Sequence, residues 1–254
     1  MRQLLVRADD VGYSYAVDLG IARSVHEGLV RSVGVMPNMP EAARGWSWIA
    51  DADVAVGQHT NVCLGLPCAD AREIPSLLGS DGQFRSSREF RAAHEAGEDF
   101  VAYDEAVVEI EAQLARFREL VGRDPDYFEA HAVLSASLDR AIADVARAHG
   151  FRQQVCTLGS DEPALCGSTP VRLVMRSMRP GYEPAAAIRE TVAGMAEGDT
   201  VVFVCHPGYL DRYVLEHSSL TTDRTKEVDA LIDPGLRAWL EAQDGLRLVD
   251  YRDL

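Results

Sequence analysis

Short apolar runs alternate with segments of helical spacing along most of the chain, and this alternation constrains the fold most strongly. The runs that predict β-strands are residues 4–8, 29–36, 54–58, 127–130, 155–158, 171–175, 200–205 and 246–251. Apolar residues at helical spacing predict helices over residues 15–28, 41–50, 102–121, the stretch between His131 and Gly150, 184–196, and 222–242, which is interrupted at Pro234-Gly235. Strands separated by helices are typical of right-handed βα units, which assemble into a parallel sheet or barrel. Because the sequence has no internal repeat, low-complexity tract or linker, we predict one α/β domain over residues 1–254.

One segment interrupts this alternation. Residues 61–100 are rich in Gly, Pro and Ser, which predicts an irregular insertion with little regular structure. The segment is a surface loop, an active-site lid or an oligomer contact. The helix that follows it carries an apolar stripe of Val107, Ile110, Leu114 and Phe117. Such a stripe is typical of core packing and only secondarily of a face that joins copies in a homo-oligomer.

The charge of the chain excludes one class of function. It has 25 Lys and Arg against 40 Asp and Glu, which gives a formal net charge of −15. Proteins that bind nucleic acids carry basic surfaces, whereas this chain repels polyanions. We therefore expect no nucleic-acid partner.

The cysteines and the hydropathy indicate a cellular location. The chain has five cysteines and no CxxC spacing, which favours reduced thiols over a disulfide framework. The first residues become charged again too soon for the apolar core of a signal peptide, and no apolar run approaches the roughly 20 residues that span a bilayer. We expect a cytoplasmic protein with no membrane partner.

Polar residues follow four of the predicted strands. Asp9-Asp10, His59, His131 and His206 each come at the end of an apolar run. Because the C-terminal ends of barrel strands open onto one face, we expect these residues to be neighbours. One carboxylate and two imidazoles make a divalent metal site with open positions, and a second carboxylate beside it takes a proton from water.

Taken singly, each of these residues has an ordinary structural role. A carboxylate at a strand end caps a helix, and a lone histidine is usually hydrogen-bonded in the structure. The remaining histidines fall on predicted helices or loops, and we assign them structural roles: His26, His94, His149 and His217.

An ordered series of short motifs resembles the YdjC-type carbohydrate deacetylases, the family that includes the bacterial chitooligosaccharide deacetylases. The matching segments are Ala8-Asp9-Asp10-Val11-Gly12, Gly20-Ile21, Glu27-Gly28-Leu29-Val30-Arg31-Ser32, Asn38, Val56-Gly57-Gln58-His59-Thr60-Asn61, Cys205-His206-Pro207-Gly208 and Tyr251-Arg252-Asp253-Leu254. A single Asp-Asp or His-Pro-Gly is a weak signal, but the series in this order is specific and runs the whole chain.

The resemblance implies a distorted TIM-like (β/α) barrel that hydrolyses the acetamide of an N-acetylated amino sugar, with one divalent ion, Zn²⁺ or Mg²⁺. Carried over position by position, Asp10, His59 and His131 would bind the metal. Asp9 would be the general base. His206 would protonate the leaving amine or orient the group that does.

This sequence departs from the third motif of the family, which is approximately HxDSHxHVH. His131 is kept, but four other positions of the motif hold Tyr127, Glu129, Val133 and Ser135. These changes predict a drier site, in which Glu129 holds His131 as an outer carboxylate. Gln154 also stands where an Arg is expected to end the strand. We therefore expect a more specialised N-acetylated sugar, such as a secondary-metabolite intermediate.

Two alternatives to the deacetylase remain open on the sequence. The same ligands would serve a metal-dependent sugar isomerase or epimerase on a barrel, with His206 as a proton shuttle. The altered third motif is also compatible with a catalytically degenerate protein that only binds a sugar. Release of acetate separates the deacetylase from both.

Overall fold

The strands form one curved sheet that closes on itself. The computed structural model describes residues 1–155 and 164–254. The strands are β1 (Arg2–Val11), β2 (Ser32–Val35), β3 (Ala55–Thr60), β4 (Tyr127–Ala130), β5 (Arg152–Val155), β6 (Ala164–Cys166), β7 (Thr169–Met175), β8 (Thr200–Cys205) and β9 (Leu246–Val249). Their spatial order is β2-β3-β4-β5-β6-β7-β8-β1, and β1 also pairs with β2, which closes the barrel. β9 pairs in parallel with the first half of β1, whereas β2 pairs with the second half of β1, from Arg7 onward.

The barrel is mixed rather than wholly parallel. β6 pairs antiparallel with both β5 and β7, while the other neighbouring pairs are parallel. The expectation of a purely parallel sheet is therefore wrong at this position, because β6 and β7 form a tight hairpin whose turn uses Gly167 at φ 58°. The predicted α/β fold, a distorted TIM-like barrel, is confirmed.

Helices surround the barrel. They are α1 (Tyr15–His26), α2 (Ala42–Ser47), α3 (Ser87–Glu95), α4 (Tyr103–Val121), α5 (Ala136–His149), α6 (Pro184–Ala193), α7 (Arg212–His217), α8 (Thr222–Leu231) and α9 (Pro234–Glu241). The sequence predicted most of these helices, with α4 the nearest match. It missed α7, which follows the N-cap Asp211, and α3, which lies in the segment that was predicted to be irregular.

The segment over residues 61–100 contains two short regular elements and much irregular chain. It holds a 3₁₀ turn at Pro75–Leu77 and helix α3, which begins with a capping box between Ser86 and Glu89. Apolar side chains from this segment pack into a cluster with α4 and α5, and Ile74 and Phe90 are among the buried members. The segment therefore covers one side of the barrel and is not a free surface loop.

The two faces of β1 show how the core is divided. Leu4, Val6 and Ala8 pack outward in the large cluster that includes residues of the helices. Leu5 faces the other way, into a cluster built almost entirely from strands around the ring. Since side chains alternate along a strand, Arg7 also points into the barrel, above this apolar floor.

Two sequence-based expectations concern other parts of the molecule. The strand predicted over residues 155–158 begins earlier, as β5, and residues 156–158 lie outside the described part of the chain. Among the described residues, no helix is both long and apolar enough to cross a bilayer.

Candidate metal centre

A β-bulge in β1 directs two consecutive carboxylates to the same site. Ala8 pairs with Val33 and Val11 with Val35, so β1 has one more residue than β2 over this interval. Asp10 lies in the bulge with φ 80°, a left-handed backbone conformation that is rare for residues other than glycine. Consecutive residues of a regular strand point to opposite faces, and the bulge removes this alternation at Asp9 and Asp10. The strand predicted to end at Ala8 therefore continues through both acids.

Three potential ligand atoms form a small triangle at the mouth of the barrel. Asp10 Oδ1 lies 3.3 Å from His59 Nε2 and 3.2 Å from His131 Nδ1, and the two nitrogens are 2.8 Å apart. Two ligands of a tetrahedral ion at 2.0–2.1 Å are about 3.3 Å from each other. Asp10 Oδ1 is also buried and accepts no well-formed hydrogen bond within the described residues. These donor atoms fit a divalent cation.

Glu129 holds His59, and not His131 as the sequence suggested. Glu129 lies directly opposite His59 in the register of β3 and β4, and its Oε1 contacts His59 Nδ1. This contact turns His59 Nε2 toward the centre, which is the usual function of a carboxylate behind a metal-binding imidazole. Gly34 leaves the space for it, since a Cβ there would lie 2.8 Å from Glu129 Oε1.

His131 follows β4 directly and is fixed by its backbone. Its amide donates to the carbonyl of Thr60 at 2.9 Å, and the next residue, Ala132, has φ 53°. The imidazole ring meets that of His59 edge to face, with centroids 4.8 Å apart. Left-handed residues thus lie on both sides of the site, at Asp10 and Ala132, as is common where a structure positions functional groups.

The surrounding charges favour a cation at the triangle. Burial lowers the pKa of His59, but the charges of Glu129 and Asp9 more than offset this and raise the pKa to about 10. Burial likewise lowers the pKa of His131, but its close contacts with Asp10 and Cys63 raise it to about 9. The site therefore attracts positive charge, either as protons on these imidazoles or as a metal ion.

Arg224, on α8, holds the second oxygen of Asp10. Its NH2 group donates to Asp10 Oδ2 at 2.8 Å, which leaves Oδ1 toward the two histidines. Burial raises the pKa of Asp10, but Arg224 and the two imidazoles outweigh burial and hold the pKa well below the usual value. Asp10 is therefore an anion that presents one oxygen to the centre. Nothing in the sequence around Arg224 indicated this role.

Asp9 lies beside the triangle and is paired with Arg7. Arg7 Nε is 2.6 Å from Asp9 Oδ1, and Arg7 NH2 donates to Asp9 Oδ2 at 2.8 Å. With His59 and Glu129, Asp9 also forms a second group whose ligand atoms lie within 4.8 Å of one another. The predicted base and the predicted ligands are thus brought together as expected.

His206 follows β8 and lies at the edge of the same site. Arg224 connects His206 to Asp10, because its NH1 group donates to the His206 carbonyl at 3.3 Å while its NH2 group donates to Asp10. His206 Nδ1 lies 3.2 Å from Ser177 Oγ, and this hydroxyl donates to Glu227 Oε1 at 2.8 Å. The hydroxyl has a single proton, so Nδ1 is the donor and Nε2 carries the lone pair. Burial lowers the pKa of His206 to about 4, which makes it neutral.

Gly20 and Gly208, which belong to the motifs that resemble the family, permit close packing beside the site. A Cβ on Gly20 would lie 2.5 Å from Gly208 Cα. Helix α1 and the turn after His206 therefore touch through backbone, and Tyr209 N donates to the Ala16 carbonyl at 2.9 Å. These glycines allow the close packing that positions the turn after His206.

The two asparagines of these motifs, Asn38 and Asn61, hydrogen-bond to a loop and not to a candidate metal ligand. Asn61 Nδ2 donates to Asn38 Oδ1 at 2.9 Å and to the Leu64 carbonyl at 2.8 Å. Asn38 in turn donates to the carbonyls of Leu64 and Leu66, each at 3.0 Å. The pair holds the start of the 61–100 segment against the turn after β2.

Fold and site together define an α/β-barrel protein with a candidate metal centre at the C-terminal ends of its strands. The chain belongs to the YdjC-like protein family, whose profile matches residues 3–242. It is 30% identical to the carbohydrate deacetylase of Mus musculus, over 99% of this chain and 94% of that protein. It is 29% identical to the chitooligosaccharide deacetylase of Klebsiella pneumoniae, over 100% and 99% of the two chains. A crystal structure of a candidate cellobiose-phosphate cleavage protein from Enterococcus faecalis V583 shares the fold, with a TM-score of 0.85 at 22% identity, over 99% and 98% of the two chains.

Proposed function

We propose that this protein is a metal-dependent N-deacetylase, which hydrolyses the acetamide of an N-acetylated amino sugar and releases acetate. The observation that carries the proposal is the triangle of Asp10 Oδ1, His59 Nε2 and His131 Nδ1, with the Asp9 carboxylate beside it. Relatives named carbohydrate deacetylase and chitooligosaccharide deacetylase support the reaction class.

In this proposal Asp10, His59 and His131 hold one divalent ion. When bound, the ion supplies Lewis acidity toward the amide carbonyl and acidifies water. Two imidazoles among the three ligands favour Zn²⁺ over Mg²⁺. Glu129 and Arg224 keep the ligand atoms of His59 and Asp10 directed toward the ion.

Asp9 and His206 divide the proton transfers. Asp9 accepts the proton of the attacking water, since its carboxylate is oriented beside the ligands. His206 begins the cycle neutral, with the lone pair on Nε2, so the proton that it gives to the leaving amine is the one that Asp9 has taken from the attacking water and passed on. Ser177 and Glu227 hold Nδ1 protonated, which keeps Nε2 available for this step.

The altered third motif supports a specialised sugar substrate. Tyr127 is buried and stacks on Tyr251 beneath the site, with ring centroids 3.7 Å apart. Val133 packs in the apolar cluster of α4 and α5, and Ser135 caps α5 by accepting from Leu138 N at 3.1 Å. Residues that serve packing and capping at these positions offer few polar contacts to sugar hydroxyls. We therefore propose an N-acetylated amino sugar other than diacetylchitobiose.

Two further proposals concern the setting of the protein. Its described cysteines are free thiols, which supports a reducing cytoplasm. A homo-oligomer and the absence of a nucleic-acid partner remain predictions from the sequence.

Acetate release tests the proposed reaction. The purified chain, stripped of metal and then loaded with Zn²⁺ or Mg²⁺, is assayed against a panel of N-acetylated amino sugars. We expect acetate only from the loaded protein, and a fall of about 100-fold or more in kcat for Asp9→Asn with its metal retained. Conversion of a sugar to an isomer without acetate would replace the deacetylase by an isomerase. Sugar binding without any turnover would indicate a degenerate binding protein, and robust turnover of diacetylchitobiose would contradict the specialised substrate.

A further inference from the structure

We propose that Arg7 is the positioning residue of Asp9, a role that rests on the proposed function of Asp9 as the base. Both residues lie on β1, two positions apart and on the inner face of the barrel. The Arg7 guanidinium meets both oxygens of the carboxylate, through Nε at 2.6 Å and NH2 at 2.8 Å. Only the contact through NH2 is a well-formed hydrogen bond, and the contact through Nε is an ion pair. Because both come from one planar group, together they restrict the rotation of the carboxylate as well as its position.

The guanidinium is itself held from below. Arg7 NH1 donates to the hydroxyl of Tyr251 at 2.9 Å, and this hydroxyl donates to Gln154 Oε1 at 3.0 Å. Tyr251 is fully buried and stacks on Tyr127, so it cannot move without disturbing the barrel interior. The Arg7 side chain is therefore fixed at its far end, and this rigidity passes to Asp9.

The same guanidinium joins the base to the metal ligands. Arg7 NH2 is 3.0 Å from Glu129 Oε2, and the other oxygen of Glu129 contacts His59 Nδ1. Asp9 and Glu129 are both buried acids, so a cation between them offsets a repulsion that water cannot screen. Arg7 thus sets the relative orientation of the base and of one ligand.

Gln154, on β5, is the far end of the hydrogen-bonded chain that holds Arg7. The resemblance leads us to expect an arginine at the end of β5, where this chain has Gln154, and the amide oxygen of Gln154 now accepts from Tyr251. Arg7 lies within an apolar run, which is why the sequence alone did not single it out.

A double-mutant cycle between Arg7→Lys and Asp9→Asn tests the pairing. Lysine keeps the positive charge but cannot contact both carboxylate oxygens. We expect Arg7→Lys to keep its bound metal, to lower kcat about 100-fold, and to change KM by less than about 3-fold, because misplacement of a reacting group acts on the chemical step. In the Asp9→Asn background the same substitution should change the residual kcat by less than about 3-fold. Arg172→Lys, at an exposed position of β7, is the matched control and should leave both constants unchanged.

Stability measurements give a readout that does not depend on turnover. Urea denaturation of the metal-free wild type, both single variants and the double variant yields a second cycle, in which we expect strongly non-additive changes of the unfolding equilibrium constant. If Arg7→Lys does not fold, the double variant Arg7→Gln, Gln154→Arg replaces Arg7→Lys in both cycles. This double variant keeps one guanidinium in the interior but moves it from β1 to β5. Additive effects in both cycles, or a folded Arg7→Lys with normal kcat, would overturn the proposal. Coupled stability without acetate release from the wild type would instead leave the pairing intact and refute the deacetylase.

Discussion

His59 Nε2 lies 2.8 Å from His131 Nδ1, although the two residues are 72 positions apart in the chain. Two imidazole lone pairs repel each other at this distance, so a proton or a metal ion must lie between them and Asp10 Oδ1. The adjacent ends of β3 and β4 create this approach, and Glu129 fixes it from behind.

Glu129→Gln should weaken metal binding. The amide keeps the size of the side chain but loses the negative charge that orients His59 and favours its metal-bound form. We expect affinity to fall by about 10–100-fold, measured by competition with a chromophoric chelator. Glu111→Gln, on α4 and paired with the exposed His149, is the control. Equal affinities for the wild type and Glu129→Gln would show that Glu129 does not support the ligand.

Gly57→Ala should destabilise the fold. A Cβ at Gly57 would lie 2.4 Å from the ring of Tyr127, which is buried and packed against Tyr251. Because neither ring has space to move, we expect a loss of about 1–3 kcal/mol in the free energy of unfolding, measured with urea. Gly194→Ala, whose Cβ would have no neighbour nearer than 3.4 Å, should change it far less. Similar values for the two variants would contradict this account of the barrel interior.

Asp18→Asn should stabilise the protein as the pH rises. Burial raises the pKa of Asp18 to about 7, although its Oδ1 accepts from Gly12 N at 2.7 Å. A raised pKa means that the folded chain keeps this proton while the unfolded chain loses it near pH 4, so the wild type loses stability between about pH 4 and 7. The asparagine does not titrate, and its amide oxygen can accept the same hydrogen bond.

We therefore expect the unfolding free energy of Asp18→Asn, relative to wild type, to increase by about 1 kcal/mol or more from pH 5 to pH 8. Urea denaturation at several pH values measures this difference. Asp51→Asn, at an exposed position, should show no such trend. A pH-independent difference for Asp18→Asn would mean that Asp18 is not protonated in the folded chain.

The alternation of strands and helices predicted a parallel sheet or barrel that brings Asp9, Asp10, His59, His131 and His206 together, because parallel strands end on one face whatever their separation along the chain. The family resemblance, and not the spacing, implied that Asp10, His59 and His131 are the metal ligands. The bulge at Asp10 was not predictable, since the residue that it adds leaves the apolar pattern of β1 unchanged. The β6–β7 hairpin was missed because β6 is only three residues long, too short to show an apolar pattern.

The residues that hold the site together were the hardest to find. Arg7 and Arg224 are buried arginines that bind carboxylates, Arg7 from the inner face of β1 and Arg224 from α8, and the fold brings these carboxylates within their reach. Glu129 was noticed but assigned to His131, because the strand register that places it opposite His59 is not visible in one sequence. Glu227, which orients His206 through Ser177, gave no signal at all.

The metal content of the purified, untagged protein tests the central claim most directly. After loading with Zn²⁺ or Mg²⁺ and removal of free ions, elemental analysis should find about one ion per wild-type chain and almost none in His131→Ala. His149→Ala, a histidine on the outside of α5, should bind as the wild type does. Absence of bound metal from the loaded wild type, or an undiminished content in His131→Ala, would contradict the proposed metal centre.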